Sequence, residues 1–412
     1  MTDPMLNQCT RYATLIALLI NSSLACSDDL HGLNDRGEFA ASLLATSTNL
    51  TFRLHYEDVN SDRQVNASGA TLRSRIRFET GEYRFAQFTF ELENITNLTP
   101  KNFSDGVRNE GTAVIADPDI TEVNQAYFRF NGIPRSILQL GRQVIKLDDE
   151  RHIGAVDFRQ NQQTFDGISV VSKPTDNLSL FYAHLRGVNT ILGRKAANGR
   201  QHLESNLFNV QYQLNQRFSV VAYHYRLNND DVPGSDHNTS GIRFSALWPM
   251  VEVTPSLILE YARQFPDLQQ APGINLDSLD YRRIKLTLKR RHFSLVFGNE
   301  LLAAEHNIAF QTPLATLHKF QGFTDQFLQI PSDGLRDRYA TVRVNIGPGR
   351  IEFTAHEFES DSNRRNIGKE HSIGAWYQIG ERGKLLVKWA RFKDPRPNGD
   401  IRKYWLQYFY AI

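Results

Sequence analysis

The chain has 412 residues, with 47 Lys and Arg against 45 Asp and Glu, a formal charge of +2. That balance gives no global polycation signature, so nucleic acid is not an expected partner. The mean hydropathy is -0.43, and the sequence holds no uninterrupted apolar run of about 18 residues, which excludes a helical membrane protein but not a β-barrel, whose apolar surface is hidden by alternation.

The continuous apolar stretch 12–20 follows Arg11 and precedes Ser23-Leu24-Ala25, the small-x-small form of a signal-peptidase site. Residues 1–25 are therefore expected to be a removable export signal. Cys26 becomes the first mature residue, and lipidation there is disfavoured because Ser23 occupies the place where a lipobox carries Leu. Cys9 leaves with the signal, so no intramolecular disulfide is expected. Residues 26–48 lack clean alternation and read as a short periplasmic lead-in to a barrel over 49–412.

From Asn49 onward, segments of about ten residues are apolar at every second position. Candidate strands are 49–57, 70–79, 83–93, 123–130, 136–145, 164–172, 177–187, 203–213, 216–226, 239–247, 254–265, 278–289, 291–300, 337–346, 350–359, 369–379, 384–392 and 401–410. Their number is about eighteen, an even count as single-chain bacterial barrels require, in an all-β, antiparallel, up-and-down transmembrane barrel. The connections alternate. Gly81-Glu82, 131–135, 173–176, Leu214-Asn215, 347–349 and 380–383 are tight turns, and the intervening connections are longer and more polar. Short turns belong to the periplasmic side and long loops to the outside, which places 94–122, 146–163, 188–202 and 301–336 outside the cell. Leu406, Tyr408, Tyr410 and Ile412 alternate back from the end, the pattern of a final strand offered to the barrel assembly machinery. Tyr83, Trp248, Trp376, Trp389 and Tyr404 are candidates for aromatic girdles among the membrane lipids.

The energy of arginine in lipid sets orientation. Arg73, Arg75 and Arg77 facing lipid would each cost about 2–4 kcal/mol near the midplane, so they face inward. The same test turns inward Arg53 and His55; Gln125, Tyr127 and Arg129; Arg243; Arg283, Lys285 and Lys289; Arg343; and Lys388. For 177–187 both registers are apolar and the choice stays open. These bases, tempered by Glu57, Glu91, Glu93 and Glu352, suit a conduit for anions, because low-dielectric walls focus the field. The competing reading is that they pair across strands and stiffen the wall. For any single arginine the two stand equal, but a ring of 16 to 18 strands leaves an aqueous channel, which favours the conduit for the set.

Leu140-Gly141-Arg142-Gln143, the run from Asp157 to Asp166, the run from His318 to Phe327, Thr71-Leu72-Arg73, Asn124-Gln125-Ala126-Tyr127 and the run from Ser332 to Asp337 together resemble the alginate export family of proteobacterial outer-membrane barrels. The resemblance implies a monomeric barrel with an arginine-rich constriction, loops folded over or into the pore, and an anionic polysaccharide as cargo. By motif position it implies Arg73, Arg75, Arg129 and Arg142 as constriction bases, with Arg159 and Asp166 beside them. The family also spans chains that look like uptake porins for small organic anions or aromatics.

The segment 301–336 is too long for a plain connection, and Pro313, Gly322, Pro331 and Gly334 punctuate it into a compact unit. It either folds inward, bringing Lys319 into the pore, or caps the mouth. Enzyme motifs fare poorly: His356-Glu357 lies on a strand and lacks a second His, and no Gly-x-Ser-x-Gly elbow stands in a suitable setting. Asp148-Asp149-Glu150 lacks the spacing of a cation site and reads as a solvated external loop. No cofactor or metal is expected. The sequence thus predicts a non-enzymatic outer-membrane channel with an arginine-rich lumen passing anionic solutes, with export of an alginate-like polyuronate as the leading cargo. The alternatives are an uptake porin for small organic molecules and a barrel-embedded hydrolase.

Overall fold

The computed structural model describes residues 35–412 except 101, 110 and 268–275. The expected signal 1–25 and Cys26 lie outside the described residues. The strands are β1 (Ser47–Ser61), β2 (Ala67–Glu79), β3 (Ala86–Asn97), β4 (Ile120–Phe130), β5 (Ser136–Gln143), β6 (Thr164–Thr175), β7 (Leu178–Asn189), β8 (Arg200–Gln213), β9 (Phe218–Leu227) and β10 (His237–Leu247). They continue with β11 (Thr254–Pro266), β12 (Leu279–Arg290), β13 (Phe293–Leu302), a short hairpin of β14 (Ala304–Glu305) and β15 (Ile308–Ala309), then β16 (Leu335–Ile346), β17 (Gly349–Glu359), β18 (Asn366–Ile379), β19 (Gly383–Lys393) and β20 (Ile401–Ala411).

Among the described residues, eighteen of these strands form one antiparallel sheet in which each pairs with its chain neighbour, β13 passing to β16. The ring closes where β20 pairs with β1, from Ser61 opposite Ile401 to Thr51 opposite Ala411. Closure leaves no free edge, the condition for a sheet that spans a membrane. Every predicted strand is present. Several run further towards the long loops than alternation suggested: β1 reaches Ser61 and β3 reaches Asn97.

Alternation sorts the two faces as the cost of charge in lipid requires. Phe128, Ile242, Ile284, Phe353 and Val387 stand exposed on the outside, while Arg53, Glu57, Arg73, Arg243, Glu260, Arg283 and Lys388 are buried within. Strand β7, open from sequence, turns Ala183 and Leu185 inward, both fully buried, and so sends Tyr182 and His184 outward. Trp376 corrects the girdle expectation. It shares the inward register of Glu370 and Ser372, its ring fills the space left by Gly374, and the Arg350 guanidinium stacks over it at 4.1 Å.

Helix α1 (Asp35–Leu44) lies at the short-turn rim, where Gly81 N–H donates to Ser42 O at 2.8 Å and Phe39 meets Tyr83 edge-on at 5.4 Å. At the other rim three long connections, 98–119, 144–163 and 303–334, fold into the barrel. They knit to one another: Gly154 N–H donates to Leu314 O, Thr316 N–H to Glu150 O, and Gln160 N–H to Asp117. Ile153, Phe310, Leu314, Phe327 and Ile330 of these loops share one apolar cluster with Leu185, Leu207, Tyr225 and Phe358 of the wall. Burial of that surface, at about 25 cal/mol per Å2, is what draws the loops in. Of the two readings of 301–336, the inward one is the structure's.

Candidate functional site

The inward bases form two walls roughly half the ring apart. On the first, Arg53 of β1 sits directly opposite Arg73 of β2. Two like charges in register repel unless something lies between them. The loop 144–163 supplies it: Arg53 donates to Gln160 Oε1 at 2.8 Å and to the Asp157 carbonyl at 2.6 Å, and Arg73 donates to the Gln160 carbonyl at 3.3 Å. The Gln160 amide in turn donates to Thr71 O and Arg53 O, each at 3.0 Å. Further towards the short turns, Arg75 bonds Glu93 at 2.8 Å with Glu91 at 3.3 Å, and Arg77 bonds Glu79 at 2.8 Å and the Tyr127 hydroxyl at 3.2 Å. Arg129 is half-buried, without an ion pair among the described residues.

On the second wall Arg243 grips Glu260 through two hydrogen bonds of 3.0 Å and reaches Asp149 at 2.9 Å, while Arg283 reaches the other Asp149 oxygen at 2.5 Å. Burial alone would raise the Asp149 pKa; Arg283 and Arg243 outweigh it and hold the carboxyl below its ordinary range. The acidic triplet is therefore not a solvated loop: Asp149 bridges two wall arginines, Asp148 accepts from Asn209 at 2.9 Å, and Glu150 accepts from the Thr316 hydroxyl at 2.6 Å. No cluster of metal-ligating side chains occurs among the described residues. Lys319 enters the interior as the inward reading required, donating to the Asp149 carbonyl at 2.9 Å. Below them Arg343 pairs with Glu352 at 2.6 Å, and Lys285 is half-buried with no carboxylate partner among the described residues.

Between the walls, Arg159 joins Glu57 at 2.6 Å to Asp325 at 2.9 Å, and Lys403 reaches the same two acids at 3.6 and 3.2 Å. Lys388 lies beside the faces of Phe323 (3.3 Å) and Phe158 (4.3 Å), and the His318 ring stacks on Phe158 at 3.7 Å. Alternation could have found Lys403, Glu260 and Glu300, which lie on inward registers. Nothing in the sequence signals that Phe158, His318 and Asp325 meet Lys388 and Lys403, because loop conformation brings them there.

Two expected site residues are misplaced. Arg142 and Asp166 lie on the outer face: Arg142 shares the register of Leu140, which is 55% exposed, whereas its neighbour Gln143 is buried inside and accepts from Ser169 at 2.6 Å. Arg142 and Asp166 are cross-strand partners and bond each other at 2.8 and 3.1 Å near the long-loop rim. The ion pair is what makes an arginine tolerable there, and it takes no part in the lumen.

Among the loops, towards the long-loop rim, lies a vestibule of about 630 Å3. Its walls are largely apolar, with Val114, Ile191, Leu192 and Leu328, and Arg159, His318, Asp325 and Lys403 also line it.

No family model matches the chain, and no curated protein does. Solved structures do. OccAB4 of Acinetobacter baumannii matches with a TM-score of 0.71 at 12% identity, covering 89% of this chain and 98% of that one. OccK9 (OpdG) of Pseudomonas aeruginosa matches with a TM-score of 0.71 at 15% identity over 90% and 99% of the two chains. The outer membrane protein OpdK of the same organism, in a crystal structure with vanillate, gives 0.69 at 14% identity over 90% and 99%. At such identities the likeness is one of fold, an outer-membrane β-barrel with its eighteen strands, and it does not single out the alginate export family.

Proposed function

We propose that this chain is an outer-membrane channel for the uptake of small organic anions. The observation that carries the reading is the pair of opposed basic walls on the short-turn side of the inward loops, where Arg77, Arg129, Lys285 and Arg343 remain half-buried rather than sealed. A low-dielectric wall around such charges concentrates anions at the point where the passage narrows. The upper bases Arg53, Arg73, Arg159, Arg243 and Arg283 do a different job: they are buried and hold the loops in place.

The same loops argue for a small solute and against a polyuronate. Segments 98–119, 144–163 and 303–334 interlock inside the barrel, and a polymer would have to displace all three at once. The vestibule of about 630 Å3 matches the size of small-molecule sites, about 300–1,000 Å3. Its largely apolar lining suits a solute with a hydrophobic body, whose negative end the half-buried bases beneath the loops would meet. That one neighbour of the same fold was crystallised with vanillate, a small aromatic carboxylate, fits this class.

The test is single-channel recording in planar bilayers with a salt gradient, followed by liposome uptake of benzoate-like acids against their neutral amides. Anion preference and faster entry of the acid support the reading. Cation preference, or equal entry of acid and amide, overturns it.

A further inference from the structure

The outward register of the last barrel strands changes character abruptly near the long-loop rim. On β19, Leu385, Val387 and Trp389 give way to Arg391 and Lys393; on β20, Tyr408, Leu406 and Tyr404 give way to Arg402; on β18, Ile373 gives way to His371 and Lys369. Lys369, Arg391, Lys393 and Arg402 are all exposed. Lys369 stands directly opposite Lys393, and Arg391 directly opposite Arg402. Like charges in cross-strand register destabilise a sheet, so two such pairs side by side call for a counter-charge.

The protein supplies only part of one. Glu357 takes Lys369 at 2.6 Å and Asp400 takes Arg391 at 2.8 Å. Lys393 and Arg402 have no carboxylate within ion-pair distance among the described residues; the partner of Arg402 on β1 is Asn60, whose amide is bonded to the nearby Asp58 at 2.5 Å. Three other rim arginines are balanced within the protein: Arg282 meets Asp280 at 2.5 Å, Arg263 meets Asp277 at 3.2 Å and Arg336 meets Asp361 at 3.5 Å.

We infer that Lys393 and Arg402, with Lys369 and Arg391 beside them, form a docking site for the phosphate-bearing headgroup of an outer-leaflet glycolipid. A phosphate between the two pairs would accept charge-assisted hydrogen bonds from both strands and remove the repulsion. A lipid is favoured over a soluble anion because the patch continues into the apolar band of Trp389, Tyr404, Leu406 and Val387, against which acyl chains lie while the headgroup meets the bases. The site is on the outer wall and does not depend on what the lumen conducts.

The test is native mass spectrometry of the full chain released from detergent micelles and titrated with bisphosphorylated lipid A, with its dephosphorylated form and with inorganic phosphate as competitor. The protein should retain the phosphorylated lipid, and Lys393→Gln with Arg402→Gln should weaken retention about tenfold or more, two charge-assisted contacts being lost. Arg282→Gln, on the balanced part of the rim, should leave it unchanged. If the double variant does not fold, Lys393→Gln alone serves, and the lipid comparison on the native chain stands by itself. Equal retention by variant and native chain, equal retention of the dephosphorylated lipid, or displacement by inorganic phosphate overturns the assignment.

Discussion

Lys388 of the barrel wall donates to Nε2 of His318 in the inward loop at 2.7 Å, while Nδ1 of the same ring faces Asp325, also at 2.7 Å. Only a neutral imidazole satisfies both contacts, with Nδ1–H donating to the carboxylate and Nε2 accepting from the ammonium.

A pH dependence follows for the docking of 303–334. Burial first, and Lys388 beside it, lower the His318 pKa from 6.5 to about 3, although Asp325 pulls the other way. The undocked loop therefore takes up its proton at a higher pH than the docked loop, so docking weakens as pH falls from 6.5 towards 3. The slope is about 1.4 kcal/mol per pH unit inside that window. Asp325, held below its ordinary range despite burial by His318 and Lys403, acts in the same sense only at the acid end. The hydrogen-exchange protection factor of 303–334, each rate being divided by the intrinsic rate at that pH, should fall between pH 6.5 and 4 in the native chain and lose that step in His318→Gln. A protection factor that is level across this range would refute it.

Asp149→Asn should loosen loop 144–163 without unfolding the barrel. The substitution takes the charged acceptor from Arg283 and one from Arg243, at about 1.5–3 kcal/mol for a hydrogen bond to a charged group. Arg243 keeps its two bonds to Glu260, so the wall stays intact. The expected result is cleavage by trypsin after Lys146 or Arg151 at an unchanged barrel melting temperature. A native digestion pattern would show that Asp149 does not anchor the loop.

Ion selectivity should separate the lumen from the outer wall. Replacing Arg77, Arg129 and Lys285 together by Gln removes three of the bases left accessible beneath the loops, and the anion-to-cation permeability ratio should fall several-fold, since each charge acts in a confined, low-dielectric space. Arg142→Gln should leave the ratio where it is, because Arg142 is paired with Asp166 outside. A shift in the reversal potential with Arg142→Gln would contradict that placement.

Arg142 also marks the limit of what the sequence reveals. The alternation in 136–143 places Leu138 and Leu140 outward and carries Arg142 with them; the motif resemblance, which ignores register, put it in the pore. Alternation read strand by strand gave the eighteen strands, the ring order and the inward side of Arg53, Arg73, Arg243 and Arg283, because lipid penalises error on every strand. It could not say that Arg53 and Arg73 would be occupied by Gln160, or that Asp149 would bridge two arginines. No periodicity governs a loop that folds into a barrel: its position is set by apolar residues such as Phe310 and Leu314 finding partners far away in the chain. Strand β7 fell between the cases, since its inner face meets those loops and is as apolar as its outer face.

Gly322 offers the sharpest test of what holds the loop. Its φ is +85°, and a Cβ there would lie 2.5 Å from Glu370 Oε2. The fully buried Glu370 carboxylate accepts from the Phe323 amide at 2.5 Å and the Thr324 amide at 3.1 Å, so the glycine lets the backbone close around it. Gly322→Ala should cost about 1–2 kcal/mol in backbone conformation, together with part of the charge-assisted bonding. Glu370→Gln keeps one acceptor oxygen but turns its NH2 against the other backbone N–H, so it loosens the same clasp. Both variants should show higher single-channel conductance than the native chain and greater trypsin sensitivity at Lys319. If Gly322→Ala conducts and resists trypsin like the native chain, the Glu370 clasp does not hold 303–334 in the barrel, and the apolar contacts of Phe310, Phe327 and Ile330 alone must do so.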